Sequence, residues 1–171
     1  MTPLVPDSLV FMGVAGCGKS TLGAAVARHI GRDWLEGDDL HSDSNRRKMA
    51  DGQPLTDEDR AAWLAALGAQ LRRRQGLVLA CSALKRSYRD QLRQAAPGLR
   101  FAFLEIDRAE AARRVSSRGA HFFRAGLIDS QFATLEPPHA EAGVLSLDAA
   151  LPLEQLAAQV TRWLATPASP C

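Results

Sequence analysis

Cysteine is scarce and scattered in this chain. Cys17, Cys81 and Cys171 lie far apart and no CxxC spacing occurs. That excludes a disulfide framework and a structural zinc site, and fits a reducing cytosol. Aromatic residues make up only 6% of the chain, and no extended basic stripe accompanies them. A stacking platform for nucleic acid is therefore not expected. Neither sign of charge dominates: 21 basic residues face 19 acidic ones, for a net charge of +2. No whole-protein field steers the chain to a polyanion or an anionic membrane, so any basic function must come from local clusters. The longest apolar run is far below the roughly 18 residues of a membrane span. Met1 to Ser8 holds two prolines and no basic start, unlike a signal peptide. A soluble, cytoplasmic protein is the expectation. Guanine-recognition motifs of the DxxG and NKxD type are also missing, which argues against a GTPase switch.

What is there is an alternation of strand-like and helix-like segments. Ser8–Met12, Asp33–Glu36, Leu77–Cys81, Phe101–Ile106 and Val144–Leu147 read as strands. Helices are expected from Lys19 to about Ile30, over Ser44–Ala50, after a Thr56 cap with Asp59 at the capping-box position, over Lys85–Ala96, Arg108–Arg118 and Leu127–Leu135, and along Leu153–Leu164. Such alternation predicts an α/β fold, a parallel sheet with helices on both faces. No repeat or low-complexity linker appears. The expected organisation is one domain over residues 1–171, with a lid at about 115–126 and a disordered tail over 167–171.

Gly13-Val14-Ala15-Gly16-Cys17-Gly18-Lys19-Ser20 matches GxxxxGK[ST] in full, between an apolar strand and a helix. The glycines let backbone N–H groups turn inward around phosphates, and the helix N-terminus adds favourable partial charge. The expected roles are Lys19 on the β- and γ-phosphates of ATP, the Ser20 hydroxyl on Mg²⁺, and Thr21 beside the α-phosphate. Cys17 has two readings, a small packing residue or a thiol activated by the helix N-terminus.

A P-loop alone does not separate a kinase from a motor or switch. Glu36-Gly37-Asp38-Asp39-Leu40-His41 sets the two carboxylates of Asp38 and Asp39 and an imidazole where the second strand ends, on the rim where open α/β sheets bind ligands. A carboxylate there can orient an attacking hydroxyl and take its proton. Asp38 is the better candidate; Asp39 is equally a cap or a partner of the metal shell, and an Asp-rich turn explains both without chemistry. Arg46, Arg47, Lys48, Ser82, Lys85, Arg86 and Arg89 gather around two strand ends. Lys85 and Arg89, four apart, are expected on one helix face as a cationic pocket for an acid. Each taken singly is also explained as solvated helix surface. Arg114, Arg118, His121 and Arg124 form a third cluster around Gly119–Gly126. They read as a lid over the transferring phosphoryl group, or as a plain basic loop.

GVAGCGKST, EGDDLH, NRRKMADGQPLTDEDRAAWL, VLACSALKRSYRD, RGAHFF and SQFATLEPP, in this order, resemble the gluconokinase family of small P-loop kinases, from about Leu9 to Leu164. The resemblance implies a fold of the nucleoside-monophosphate-kinase type with a five-stranded parallel sheet. It implies transfer from ATP to gluconate, giving 6-phosphogluconate, and a homodimer. It places Gly16, Gly18, Lys19 and Ser20 on ATP, Asp38, His41, Lys48, Lys85 and Arg89 on the sugar acid, and Arg118 on the lid. Ser42 stands where a proline often follows the family's histidine, and the lid has one basic residue fewer beside Arg118. A shikimate-type kinase of the same fold and a nucleotide-binding regulatory module are the rival readings. A panel of polyhydroxy acids distinguishes the first, and absence of acceptor-dependent turnover the second.

Overall fold

The structure is a computed structural model that describes residues 6–117 and 125–167. Arg118, His121 and Arg124 of the expected lid, and the tail from residue 168, lie outside the described residues. The elements run β1 (Leu9–Met12), α1 (Lys19–His29), β2 (Trp34–Glu36), a 3₁₀ turn (Gly37–Leu40), α2 (Asp43–Ala50), α3 (Asp57–Arg73), β3 (Val78–Ala80), α4 (Arg86–Ala95), β4 (Arg100–Glu105), α5 (Arg108–Ser117), α6 (Ala125–Thr134), β5 (Val144–Asp148) and α7 (Leu153–Leu164). Gly126, expected to close the loop Gly119–Gly126, lies inside α6.

The five strands are ordered β2-β3-β1-β4-β5 and every pairing is parallel. Parallel strands need crossovers, and the crossovers cover both sheet faces. Alternate residues of β1 therefore enter different cores. Leu9 and Phe11 pack with Leu22, Val26, Leu156 and Val160 of α1 and α7. Val10 and Met12 pack with Trp63, Leu67, Tyr88 and Leu92 of α3 and α4. This is why LVFM reads as a continuous apolar run without alternation.

The helix starts follow the capping rules. Thr56 Oγ1 accepts from the Asp59 N–H, and the Asp59 carboxylate accepts from the Thr56 N–H, a closed capping box. Ser42 caps α2 by accepting from the Asn45 N–H at 3.1 Å. The serine that departs from the family pattern thus supplies a cap that proline cannot.

One strained turn shapes the rim of the sheet. After β3 the chain passes through Ala83 with φ of 45°, a left-handed conformation that costs a non-glycine residue about 1–3 kcal/mol. Arg89, fully buried, holds it there. Its Nη1 donates to Ala83 O at 2.7 Å and Leu84 O at 3.1 Å. Its Nη2 donates to Glu136 O at 2.9 Å and to Glu141 Oε2 at 2.5 Å. Its Nε faces both Glu141 oxygens at 3.1 Å. Arg93 Nη2 adds an ion contact to Glu141 Oε1 at 2.8 Å. With its donors all engaged, Arg89 has none left for a substrate.

Removing one member of such a pair strands a buried charge, at about 3–5 kcal/mol. We expect Glu141→Ala to lose that much stability in urea unfolding. Asp33→Ala, which breaks the exposed Arg74–Asp33 pair, should lose under about 1 kcal/mol. Equal losses would remove Arg89 from its role as a clamp.

Candidate active site

The central strand β1 ends at Met12, and the loop Gly13–Gly18 leads directly into α1. Gly18 is the residue before the helix, at φ 93° with no side-chain cap. A side chain there would meet no atom within 4 Å, so glycine is required for the backbone angle and not for space. With no side chain capping them, the amides at the start of α1 remain available to an anion. Val14 and Cys17 turn inward and are 2% and 1% exposed. Cys17 is a free, buried cysteine, which supports its reading as a packing residue.

Ala15, Gly16, Lys19 and Ser20 open onto a cleft at the carboxyl ends of the strands. Lys19 is half-buried. Burial alone lowers its affinity for a proton, but the field of Cys17, Asp38, Glu36 and Cys81 outweighs that and raises its pKa. The ammonium is therefore firmly charged. Glu36 closes β2 close behind it. Burial raises the Glu36 pKa, a hydrogen bond with Ser20 lowers it, and the charge of Asp38 raises it further, with a net rise. Glu36 Oε1 is buried with no hydrogen-bond partner among the described residues.

Across the cleft, the 3₁₀ turn presents Asp38 and His41. Gly37 is needed by this turn, since a Cβ there would stand 2.2 Å from Ala80 O. Trp63 of α3 fixes the same turn by donating from Nε1 to Gly37 O at 2.8 Å. The His41 ring stacks on Trp63 with centroids 4.2 Å apart, and its Nε2 lies 3.9 Å from Asp38 Oδ1. Asn45 Nδ2 is 3.3 Å from His41 Nδ1. A carboxamide hydrogen there makes Nδ1 the acceptor and leaves the ring proton on Nε2, toward Asp38. Asp38 lines the cleft and Asp39 does not.

Arg60, in the first turns of α3, completes this wall. Its Nη1 donates to Leu55 O at 2.7 Å and Tyr88 Oη at 3.3 Å. Among the described residues no hydrogen bond engages its Nε or Nη2. Ser82, Ser130 and Gln131 also face the cleft.

Three of the expected acid-binding residues lie elsewhere. Arg89 is the clamp described above. Lys85 precedes α4 as its N-cap residue, so it does not share a helix face with Arg89. Its ammonium donates to Asp57 at 3.0 Å, in contact with solvent. Lys48 is taken by Asp59 at 2.8 and 3.0 Å, and this holds the Asp59 carboxyl down to about 2. Neither lysine lines the cleft. Thr21 is exposed on the first turn of α1. Arg114 crosses from α5 to the nucleotide loop. Its Nη1 approaches Gly16 O at 3.4 Å and its Nη2 donates to Ala149 O at 2.9 Å.

Arg60, Trp63, Glu36 and Gln131 are what sequence reasoning missed. Trp63 was legible only as part of an apolar helix face. Arg60 carried no signal of its own within the charged run TDEDR; its place in the cleft follows from the packing of α3 beside the Asp38 turn. Gln131 carried none beyond its place in SQFATLEPP, since its partner is a backbone amide.

The family model described as "AAA domain" matches residues 9–138. The gluconokinase of Gluconobacter oxydans (strain 621H) is 48% identical over 139 residues, 79% of this chain and 78% of that protein. The thermoresistant gluconokinase of Escherichia coli (strain K12) is 42% identical over 154 residues, 87% of this chain and 88% of that protein. The crystal structure of a gluconokinase from Sinorhizobium meliloti 1021 superposes with a TM-score of 0.88 at 46% identity, covering 94% of this chain and 93% of that one. With a P-loop on the central strand of a five-stranded parallel sheet, and identity of this extent along most of its length, the chain belongs to the gluconokinase family.

Proposed function

We propose that this protein transfers the γ-phosphoryl group of ATP to the terminal hydroxyl of gluconate, forming ADP and 6-phosphogluconate. The observation that carries this reading is the pairing of a P-loop ammonium, Lys19, with a wall holding one carboxylate, Asp38, and one cation, Arg60, in the same cleft. A hydroxy acid needs both: a carboxylate to aim its hydroxyl and a cation to hold its acid end. The loop amides and Lys19 hold the phosphates and neutralise charge as it develops. Asp38 accepts the hydroxyl proton. His41, with its ring proton toward Asp38, keeps the carboxylate oriented. Arg60 takes the place assigned from sequence to Lys48, Lys85 and Arg89. Arg118 and His121, outside the described residues, stay in the proposal as lid residues over the phosphoryl group and the acceptor, and Arg114 as a nucleotide contact.

Mg²⁺ fits this site. No cluster of three metal-ligating side chains occurs among the described residues, as expected for an ion that keeps waters and phosphate oxygens and takes one or two protein ligands. The Ser20 hydroxyl and the orphaned Glu36 Oε1 beside it are the atoms we assign to it. Bound there, it neutralises phosphate charge. A homodimer and a cytoplasmic location belong to the same proposal. Sedimentation at micromolar concentration tests the first and fractionation of cells the second. No helix among the described residues is long and apolar enough to cross a membrane.

A panel of polyhydroxy acids and neutral sugar alcohols in one ADP-coupled assay tests the reading. Gluconate should lead the panel, and a neutral alcohol should fail because it leaves Arg60 unpaired. Turnover with shikimate instead would replace the acceptor, and ATP binding without any turnover would leave a regulatory module.

Lys19→Ala should abolish most transfer in a protein that still folds. Asp38→Asn should lower kcat by about 10²–10⁴-fold with ATP affinity little changed, and Asp39→Asn should do much less. Arg60→Ala should raise the KM for gluconate by roughly 10- to 150-fold, the equivalent of losing one charge-assisted contact of about 1.5–3 kcal/mol. An equal rise in the KM for ATP would move Arg60 out of the acceptor site.

His41 yields a pH dependence. Burial holds its pKa below the ordinary 6.5; Asp38 opposes this, and Arg46 and Arg60 reinforce it. The unfolded chain thus binds the proton more readily than the folded one. The resulting stability is complete above the unfolded pKa and is lost as pH falls below it. Wild-type protein should lose more stability than His41→Gln between about pH 7.5 and 5.5. Parallel pH profiles would show that the imidazole is not held neutral.

A further inference from the structure

Gln131 lies on α6, 116 residues from the P-loop, yet its Oε1 accepts the Ala15 N–H at 2.7 Å. That bond settles which way the carboxamide points. An N–H can donate only to the oxygen, so the amide nitrogen Nε2 occupies the other position. Among the described residues no partner takes either Nε2 hydrogen. Gln131 lines the same cleft as Lys19 and Asp38, beside the phosphate loop that its oxygen binds.

The helix that carries it is anchored at its C-terminal end. The C-terminal end of α6 runs into Leu135 and Glu136. The Glu136 N–H donates to Leu84 O at 2.8 Å, and Glu136 O accepts from Arg89 at 2.9 Å. The helix that presents Gln131 is thus tied to the buried clamp, and the side chain is tied to the P-loop.

We propose that Gln131 positions the phosphoryl group in transfer: Ala15 pins its oxygen, and its Nε2 donates a hydrogen bond to a γ-phosphoryl oxygen. This rests on the nucleotide site of the proposed reaction, but not on which acceptor is used. A neutral donor at this place complements the charge of Lys19 without adding a second cation to the carboxylate wall.

Glu and Leu variants separate this role from a purely structural one. Glu keeps the acceptor for the Ala15 N–H but replaces the donor by an anion. Leu removes both functions. If Gln131 only braced the loop, Gln131→Glu would behave as wild type and Gln131→Leu would fail. If it donates to the phosphoryl group, both should lose kcat, on the order of 10²-fold for Leu and at least as much for Glu. The KM for gluconate should move less than about threefold in Gln131→Leu, as expected when an interaction matters mainly in the transition state.

A second readout needs no acceptor. Beryllium fluoride added to ADP and Mg²⁺ stands for the γ-phosphoryl group, and calorimetry measures how much it tightens ADP binding. Gln131→Leu should lose most of that tightening, read as the ratio of ADP affinities with and without beryllium fluoride so that any effect of the lost Ala15 bond on ADP alone cancels. Thermal melts confirm that each variant is folded. Wild-type kcat in Gln131→Glu, or unchanged beryllium fluoride tightening in Gln131→Leu, would overturn the proposal. Failure of gluconate as an acceptor for the wild type, with the beryllium fluoride effect lost in Gln131→Leu, would sink the acceptor assignment and leave Gln131 in place.

Discussion

The buried pair of Arg89 and Glu141 is the interaction on which the site's geometry depends. A parallel sheet delivers strand ends to one rim, but it does not decide how each chain leaves that rim. After β3 the chain leaves through a left-handed alanine, a conformation that only surrounding contacts sustain. Arg89 supplies them by binding two successive carbonyls of the turn, and Glu141 neutralises the guanidinium so that it tolerates burial. The turn carries Ser82 to the cleft, and the Ser82 carbonyl accepts from the Gly13 N–H at 3.3 Å. Through Glu136 the same guanidinium fixes the end of α6. One ion pair thereby sets the P-loop, the turn after β3 and the helix of Gln131 relative to one another.

Much of the architecture was legible because it follows from backbone chemistry. A P-loop is written in glycines and one lysine, and its function is performed by amides whose position the motif dictates. The strands were legible because a sheet covered on both faces demands unbroken apolar runs such as LVFM and VLA. Element boundaries shifted by only a residue or two, and Lys85 shows what such a shift can cost. As the first helical residue it would share a face with Arg89. As the N-cap it is turned toward Asp57.

The cationic pocket was misread for a related reason. Helical spacing tells which residues share a face, but not whether that face looks at solvent, at the cleft or into the core. Charge suggested an exposed Arg89, while its partner Glu141, 52 residues away, makes burial possible. Lys48 was likewise spoken for by the capping-box carboxylate of Asp59. Arg60 was hidden among the charges of TDEDR. Only the packing of α3 against the Asp38 turn, through Trp63 and Gly37 O, shows that this arginine reaches the cleft.

The carboxylates of the EGDD segment are separated by environment and not by sequence. Glu36 ends a strand, half-buried, with one oxygen unpartnered and a raised pKa. Asp38 stands on a turn with its side chain 59% exposed, beside an imidazole that burial keeps neutral. The buried group gains most from a cation arriving next to it, since that removes the cost of its desolvated charge. The exposed group, open to the cleft, has room for a hydroxyl. In the proposed reaction this divides the labour, with Glu36 beside Ser20 serving the metal and Asp38 serving the acceptor. The P-loop ammonium lies within the field of both. Lys19 therefore couples the two halves electrostatically: nucleotide phosphates that draw on its charge leave the buried Glu36 less compensated, which favours a cation beside it.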